Sequence, residues 1–143
     1  MAEEFAYFDT SVLVPMWIED TRSETVERWL ETLADAPVVS DWALAEFTSA
    51  LGIRRRIGAI DQAACERAEH ALDQWVESGV ERLVLVAADL VTARHLMRVD
   101  AVVVKAPDAL HLALARRSGT ALATLDEPLR RAAEALGIAV LPN

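Results

Sequence analysis

Short apolar runs alternate along this chain with longer segments in which apolar residues recur every three or four positions. The short runs predict buried β-strands, and the longer segments predict amphipathic helices. The predicted strands cover residues 6–8, 38–39, 83–86, 121–125 and 138–141. One short, irregular helix is predicted at residues 15–18. Longer helices are predicted at residues 22–33, 41–56, 61–79, 89–97, 107–118 and 128–136. Residues 99–106 are interpreted as a loop or a short turn.

Residues that favour helix ends support these boundaries. Ser40, Asp61 and Asp89 each stand where a helix is predicted to begin, and their side-chain oxygens suit the N-cap position. Gly58 and Gly119 stand just beyond predicted helix ends, where a left-handed backbone conformation is common. The residues at the predicted helix ends therefore agree with the apolar periodicity.

Short apolar strands interleaved with helices predict an α/β fold with a parallel sheet covered on both faces. We expect a three-layer arrangement with four or five central strands. The chain is 143 residues long and contains no linker, repeat or low-complexity stretch. We therefore predict one domain spanning residues 1–143.

The net charge of −9 argues against passive binding to nucleic acid, because phosphate affinity normally comes from a basic surface. Lys105 is the only lysine, and arginines cluster at 54–56, 116–117 and 130–131. Each cluster lies near a predicted helix end, where it complements the helix dipole. A negative net charge is also expected of a protein whose carboxylate-lined site must bind metal cations before it accepts a phosphate.

The expected location is the cytoplasm. Cys65 is the only cysteine, which excludes an internal disulfide and fits a reducing compartment. Residues 1–4 are acidic and lack the basic and apolar regions of a signal peptide. No stretch approaches the roughly 20 apolar residues of a membrane span.

Three acidic residues lie where a predicted strand ends or a helix begins. Asp9 follows the first strand, Asp126 follows the fourth, and Asp108 lies in the first turn of the intervening helix. Binding sites in open parallel sheets form at the carboxyl ends of the strands. Each of these residues could equally serve as a helix cap.

Glu46 has a weaker structural explanation. Its helix carries apolar residues on nearly all sides, and Glu46 lies on the same stripe as Trp42 and Ala50. Such a helix is expected to be buried, where an unpaired glutamate is rare. No lysine or arginine stands three or four positions away, so we expect a distant partner or a metal ion.

Clustered carboxylates repel one another, and two at about 4 Å cost on the order of 4 kcal/mol at an effective dielectric constant of 20. A cation or shared protons must offset that cost. Hard oxygen ligands with few histidines favour Mg²⁺ or Mn²⁺ over zinc. Such ions activate water and hold a phosphodiester, so the residues predict metal-assisted phosphodiester hydrolysis.

The chain carries short motifs in an order and spacing typical of one family. They are Tyr7-Phe8-Asp9-Thr10-Ser11, residues 40–51 around Glu46, Pro107-Asp108-Ala109-Leu110-His111-Leu112-Ala113, Thr124-Leu125-Asp126 and Leu136-Gly137-Ile138. Through them the chain resembles the PIN-domain ribonucleases, in particular the VapC-type toxins of bacterial toxin–antitoxin pairs. The resemblance runs nearly end to end.

This resemblance implies a catalytic set of acidic residues that bind Mg²⁺ or Mn²⁺ or position water: Asp9, Glu46, Asp108 and Asp126. It also implies supporting hydroxyl groups on Thr10 or Ser11 and on Thr124. The implied function is that of an endoribonuclease toxin with an RNA substrate. Its implied partners are a second copy of the chain and a cognate antitoxin.

Other interpretations stay open at this level. The chain could be a PIN nuclease of RNA processing, a nuclease acting on DNA, or a PIN-like binding module whose carboxylates are caps and ion-pair partners. A phosphoaspartyl enzyme using Asp9 is disfavoured, because Ser11 stands where a second acid is usual. His111 lies one turn after Asp108, and a structural role is the preferred interpretation.

Overall fold

The computed structural model describes residues 4–143. Within them a five-stranded, all-parallel sheet has the strand order β3-β2-β1-β4-β5 and helices on both faces. The elements in chain order are β1 (Phe5–Phe8), α1 (Thr10–Trp17), α2 (Ser23–Thr32), β2 (Ala36–Ser40), α3 (Asp41–Arg56), α4 (Gln62–Glu77), β3 (Glu81–Leu83), α5 (Ala87–Leu96), α6 (Ala106–Ser118), β4 (Ala121–Ala123), α7 (Glu127–Ala135) and β5 (Val140–Leu141). The predicted α/β class and three-layer parallel sheet are confirmed.

The sheet separates two apolar layers. Successive strand side chains point to opposite faces. On β1, Ala6 and Phe8 therefore pack with α1, α2, α3 and α4, while Tyr7 packs with α5, α6 and α7. All three residues are fully buried. The periodicity of the sequence is thus explained by helices that bury one face against this sheet.

Most predicted helix ends are confirmed by hydrogen bonds. Ser40 Oγ accepts from the Ala43 backbone N–H at 3.0 Å, and Asp61 Oδ1 accepts from Ala64 N–H at 2.8 Å. Gly119 follows α6 with φ of +68°, a conformation that a residue with a Cβ adopts only at a cost. The prediction that Asp89 is an N-cap is wrong, because α5 begins earlier, at Ala87, and Asp89 lies in its first turn, where Oδ2 accepts from the Val86 backbone N–H at 3.0 Å.

The first helix and the third strand differ from prediction. A regular helix, α1, begins at Thr10, because the Asp9 carboxylate caps it directly after β1. The third strand occupies Glu81–Leu83 instead of residues 83–86. Its partner β2 ends at Ser40, which pairs with Leu83, so residues beyond Leu83 have no strand to pair with.

Residues 99–105 of the predicted loop form turns and irregular chain, and α6 begins at Ala106.

None of the described helices is both long and apolar enough to cross a bilayer. Residues 1–3, which include most of the acidic start, lie outside the described residues. The predicted domain bounds of 1–143 stay a prediction.

The strand order reverses at the boundary between β1 and β4. The chain proceeds outward from β1 to β2 and β3, then returns to place β4 on the other side of β1. Phe8 at the end of β1 is in register with Ala123 at the end of β4. Crevices at such reversals are the usual ligand sites of open parallel sheets.

Candidate active site

All four predicted acidic residues come from segments at the carboxyl edge of the sheet. Asp9 follows β1, Asp126 lies three residues beyond β4, Glu46 is on the helix after β2, and Asp108 is in the first turn of α6. Besides burial, which is the main cause, the negative charges of Asp126, Glu46 and Asp9 all raise the pKa of Asp108, so the four acids interact. The structure therefore brings the whole predicted set to one site.

Asp9 is nearly fully buried, and both of its carboxylate oxygens accept hydrogen bonds. Ser11 Oγ donates to Oδ1 at 2.6 Å, and Thr124 Oγ1 donates to Oδ2 at 2.5 Å. The Val12 backbone N–H also donates to Oδ1 at 3.2 Å. Burial raises the pKa of Asp9, while the hydrogen bonds from the Ser11 and Thr124 hydroxyl groups oppose that rise. A carboxylate held this firmly is poorly placed to act as a nucleophile.

Thr124 connects the two strand-end acids. Its hydroxyl donates to Asp9 and accepts from the Asp126 backbone N–H at 3.0 Å. Asp126 Oδ2 accepts from Leu129 N–H at 3.0 Å, so Asp126 is also the N-cap of α7. Ser11 Oγ accepts from Leu125 N–H at 2.8 Å, which ties the segment after β4 to α1.

Glu46 differs from expectation in its surroundings. The prediction that its helix is buried on all sides is wrong, because Ala45 and Ile53 are exposed and the Glu46 side chain is 26% exposed. Its partners are Thr10, whose hydroxyl donates to Oε1 at 2.8 Å, and the ring of His111. Burial acts to raise the pKa of Glu46, but the hydrogen bonds from His111 and Thr10 hold it below its ordinary value.

Asp108 has no comparable partner. We find no hydrogen bond or ion pair to its carboxylate among residues 4–143, and it does not cap α6. Burial is the main cause of its raised pKa, followed by the charge of Asp126. The start of α6 is held in place by Trp42, whose indole N–H donates to the Pro107 carbonyl at 3.1 Å. Trp42 thus connects the helices that carry Glu46 and Asp108.

His111 is the site residue that the sequence interpretation assigned to a structural role. Its ring is buried and contacts Glu46 through Nε2 and Tyr7 Oη through Nδ1. The available sequence signal was its position one turn after Asp108. Nothing in the sequence connected it to Tyr7, because 104 residues separate the two.

The donor chemistry of this site suits a hard divalent cation. Its carboxylates are half-buried or buried, and burial together with their mutual repulsion raises the pKa of Asp108, a cost that a cation would offset. Among residues 4–143, no three acidic, histidine or cysteine side chains form a ready-made coordination cluster. The acids are therefore electrostatically coupled without being assembled into a metal cage.

A family model described as PIN domain matches residues 6–135. No curated protein sequence matches the chain significantly. Several solved structures share its fold. One is the sarcin-ricin loop cleaving toxin VapC20 of Mycobacterium tuberculosis, with a TM-score of 0.70 and 23% identity over 94% of this chain and 96% of that one.

Two further similar structures are FitAcB and VapBC2. FitAcB from Neisseria gonorrhoeae has a TM-score of 0.65 and 19% identity, covering 96% of this chain and 97% of that one. VapBC2 from Rickettsia felis, bound to a DNA fragment from its promoter, has a TM-score of 0.65 and 15% identity, covering 95% and 96%. At these identities the likeness establishes the fold.

Proposed function

This chain belongs to the PIN domain family, and on that premise we propose that it is a metal-dependent endoribonuclease that uses Mg²⁺ or Mn²⁺. The family membership agrees with the resemblance drawn from the sequence motifs. The proposed reaction is hydrolysis of an RNA phosphodiester by an activated water. Its proposed catalytic and metal-binding residues are Asp9, Glu46, Asp108 and Asp126.

The observation that carries this proposal is that the half-buried Asp108 carboxylate has no hydrogen-bond or ion-pair partner among residues 4–143. Asp9 and Asp126 cap helices and Glu46 has a histidine partner, so each has a structural explanation. Asp108 has neither a cap role nor a partner, yet it lies half-buried beside three other acids. A fold retains such a carboxylate at a cost, and binding a cation is the function that best explains it.

The side chains have separate roles in the proposed reaction. A bound divalent ion would supply Lewis-acid stabilisation of the phosphate and lower the pKa of a water. Ser11 and Thr124 fix the Asp9 carboxylate, and Thr10 fixes Glu46. Asp108 and Asp126, which are both partly exposed, contribute negative charge.

Cleavage of a structured RNA by the purified protein tests this proposal. We expect cleavage that requires Mg²⁺ or Mn²⁺ and is abolished by chelation. Asp9→Asn and Glu46→Gln should each lower the rate at least about 100-fold, which corresponds to roughly 3 kcal/mol of transition-state stabilisation. Glu134→Gln is the matched control, since Glu134 is exposed on α7, and it should cleave like the wild type. Equal cleavage by the wild type and all three variants would contradict the proposed mechanism.

The main alternative is a PIN-like binding module without turnover. It predicts carboxylates that all serve as caps or ion-pair partners, with Glu46 paired to an arginine. Glu46 is paired to His111 instead, and Asp108 is unpartnered within the described chain. Failure to cleave any RNA or DNA, with no Mn²⁺ binding, would favour the module. Cleavage of a DNA of the same sequence at an equal rate would favour a less specific nuclease.

We propose a cognate antitoxin as the protein partner. One structure of similar fold is a toxin–antitoxin complex from Klebsiella pneumoniae, and two others, FitAB and VapBC2, were solved with bound DNA. The net charge of −9 and the acidic site suit a partner that presents a basic side chain to the carboxylates. A small neighbouring reading frame that encodes a DNA-binding protein would support this assignment.

We also propose that the chain forms a homodimer through the surface around α5. Seven large apolar side chains on or near this helix are exposed: Val84, Val86, Leu90, Val91, Met97, Val99 and Val103. A patch of this kind typically marks a protein interface. Sedimentation should therefore give a dimer that Leu90→Glu with Val91→Glu converts to a monomer, while Ile57→Glu leaves it unchanged. A monomeric wild type would contradict the proposal.

A further inference from the structure

A chain of buried hydrogen bonds runs through the core to the candidate active site. Ser40 Oγ lies 2.7 Å from Tyr7 Oη, which lies 2.7 Å from His111 Nδ1. His111 Nε2 contacts Glu46 Oε1 at the other end. Ser40 and Tyr7 are fully buried and His111 is 2% exposed. A polar chain this deep needs every donor and acceptor matched.

Matching the donors and acceptors gives the chain one direction. Ser40 Oγ already accepts from Ala43 N–H, so its own hydrogen is available to Tyr7 Oη. Tyr7 then donates to His111 Nδ1, which leaves the hydrogen of His111 on Nε2, facing Glu46. The opposite direction would leave the Ser40 hydrogen without an acceptor.

Both hydrogen bonds to Glu46 reach the same carboxylate oxygen. Thr10 Oγ1 and His111 Nε2 each donate to Oε1. We find no donor to Oε2 among residues 4–143. The Glu46 side chain is thus held by one oxygen while the other keeps its lone pairs free.

We propose that His111, held by Tyr7 and Ser40, is a positioning residue that fixes the Glu46 carboxylate with Oε2 free to bind the divalent cation. This inference rests on the proposed function, because it assigns Glu46 to the metal site. His111 acts through Glu46 and does not touch the cation. Residues in this supporting position typically change metal affinity about 10- to 100-fold when they are removed.

Three variants separate positioning from a purely structural role. Tyr7→Phe removes the oxygen that orients His111, and His111→Leu removes the Nε2 donor. His111→Gln places an amide N–H near the position of Nε2 and should rescue the function. His70→Leu is the matched control, because His70 is exposed on α4, away from the site.

The principal measurement is Mn²⁺ binding to the RNA-free protein by isothermal titration calorimetry. We expect about 10-fold weaker binding for Tyr7→Phe and about 10- to 100-fold weaker binding for His111→Leu. His111→Gln should lie within about 3-fold of the wild type, and His70→Leu should equal it. In cleavage assays at limiting Mn²⁺, the apparent kcat should fall in the two weakened variants while KM for RNA stays constant, and saturating Mn²⁺ should restore most of the lost rate.

Nitrogen NMR of the wild-type imidazole tests the direction of the hydrogen-bond chain without metal. The expected spectrum has the hydrogen of His111 on Nε2 and a bare Nδ1. A hydrogen on Nδ1 with a bare Nε2 would overturn the inference. If His111→Leu fails to fold, Tyr7→Phe still allows the Mn²⁺ binding measurement, because it removes only one oxygen atom.

The outcomes distinguish this inference from the proposed function. Unchanged Mn²⁺ affinity in a folded Tyr7→Phe or His111→Leu variant, with an active wild type, overturns the positioning role alone. Mn²⁺ binding that depends on His111 in a protein that cleaves no nucleic acid supports positioning and overturns the ribonuclease proposal. A wild type that neither binds Mn²⁺ nor cleaves overturns both.

Discussion

Asp108→Asn is expected to remove metal-dependent RNA cleavage and, at the same time, to raise the melting temperature of the metal-free protein. The loss of activity should be about 100- to 1,000-fold, or roughly 3–4 kcal/mol of transition-state stabilisation. The gain in stability follows because burial and the charges of Asp126, Glu46 and Asp9 disfavour the ionised Asp108 carboxyl. An amide of the same shape removes that repulsion without breaking a hydrogen bond.

The stability gain from Asp108→Asn should depend on pH. Folding raises the pKa of Asp108 above its ordinary value of 3.8. Such a group stabilises the folded protein below its unfolded pKa, and this contribution is lost as the pH rises through the folded pKa. The variant escapes that loss, so its advantage should be largest at neutral pH and shrink as the pH falls towards 4. A gain of about 1 kcal/mol would appear as about 3 °C in Tm.

Thermal unfolding in a chelating buffer at several pH values measures this effect. Asp73→Asn is the control, because Asp73 is exposed on α4 and should change neither activity nor melting temperature. Adding Mn²⁺ should stabilise the wild type more than Asp108→Asn. If Asp108→Asn destabilised the metal-free protein at neutral pH, the account of Asp108 as a strained functional carboxylate would be wrong.

Phe47→Ala should have the largest effect on stability. Phe47 is fully buried on α3, beside Glu46, and meets the edge of Trp17 at a ring separation of 6.1 Å. Truncating such a ring removes buried area and leaves a cavity, at a cost of about 3–5 kcal/mol. That loss is a large part of the 5–15 kcal/mol typical of a domain, so Tm should fall by about 10 °C or more.

Ile53→Ala provides the contrast on the same helix. Its side chain is 51% exposed, so the change should alter the free energy of unfolding by no more than about 0.5 kcal/mol. Denaturant unfolding of both variants at one pH compares the two costs directly. Equal costs would mean that the face of α3 that packs against α1 has been assigned incorrectly.

Much of the fold could be predicted from the sequence because its signals are local. The Ser40 and Asp61 caps and the Gly119 turn depend on hydrogen bonds or dihedral angles within a few residues. The alternation of Ala6, Tyr7 and Phe8 across the sheet follows from the strand repeat alone. The PIN fold predicted from the motifs is confirmed by the family match over residues 6–135.

The lengths of strands at the sheet edge could not be predicted in the same way. Val84 and Val86 have strong strand propensity but are exposed, since β2 ends opposite Leu83 and offers them no partner. Propensity describes one segment, whereas a strand exists only as far as its neighbour extends. The same limit explains why β4 ends at Ala123, after which Leu125 N–H bonds to Ser11.

The sequence by itself determined the strand and helix order, the Ser40 and Asp61 helix caps, and the placement of three acids at strand ends or helix starts. Only the tertiary structure decided which of the four candidate acids has a partner. It left Asp108 unpaired within the described chain and gave Glu46 a buried histidine. The physical reason is sequence distance: the bond from Tyr7 to His111 spans 104 residues and forms only when α6 packs against β1. The local periodicity of apolar residues does not predict a contact between residues so far apart in the sequence.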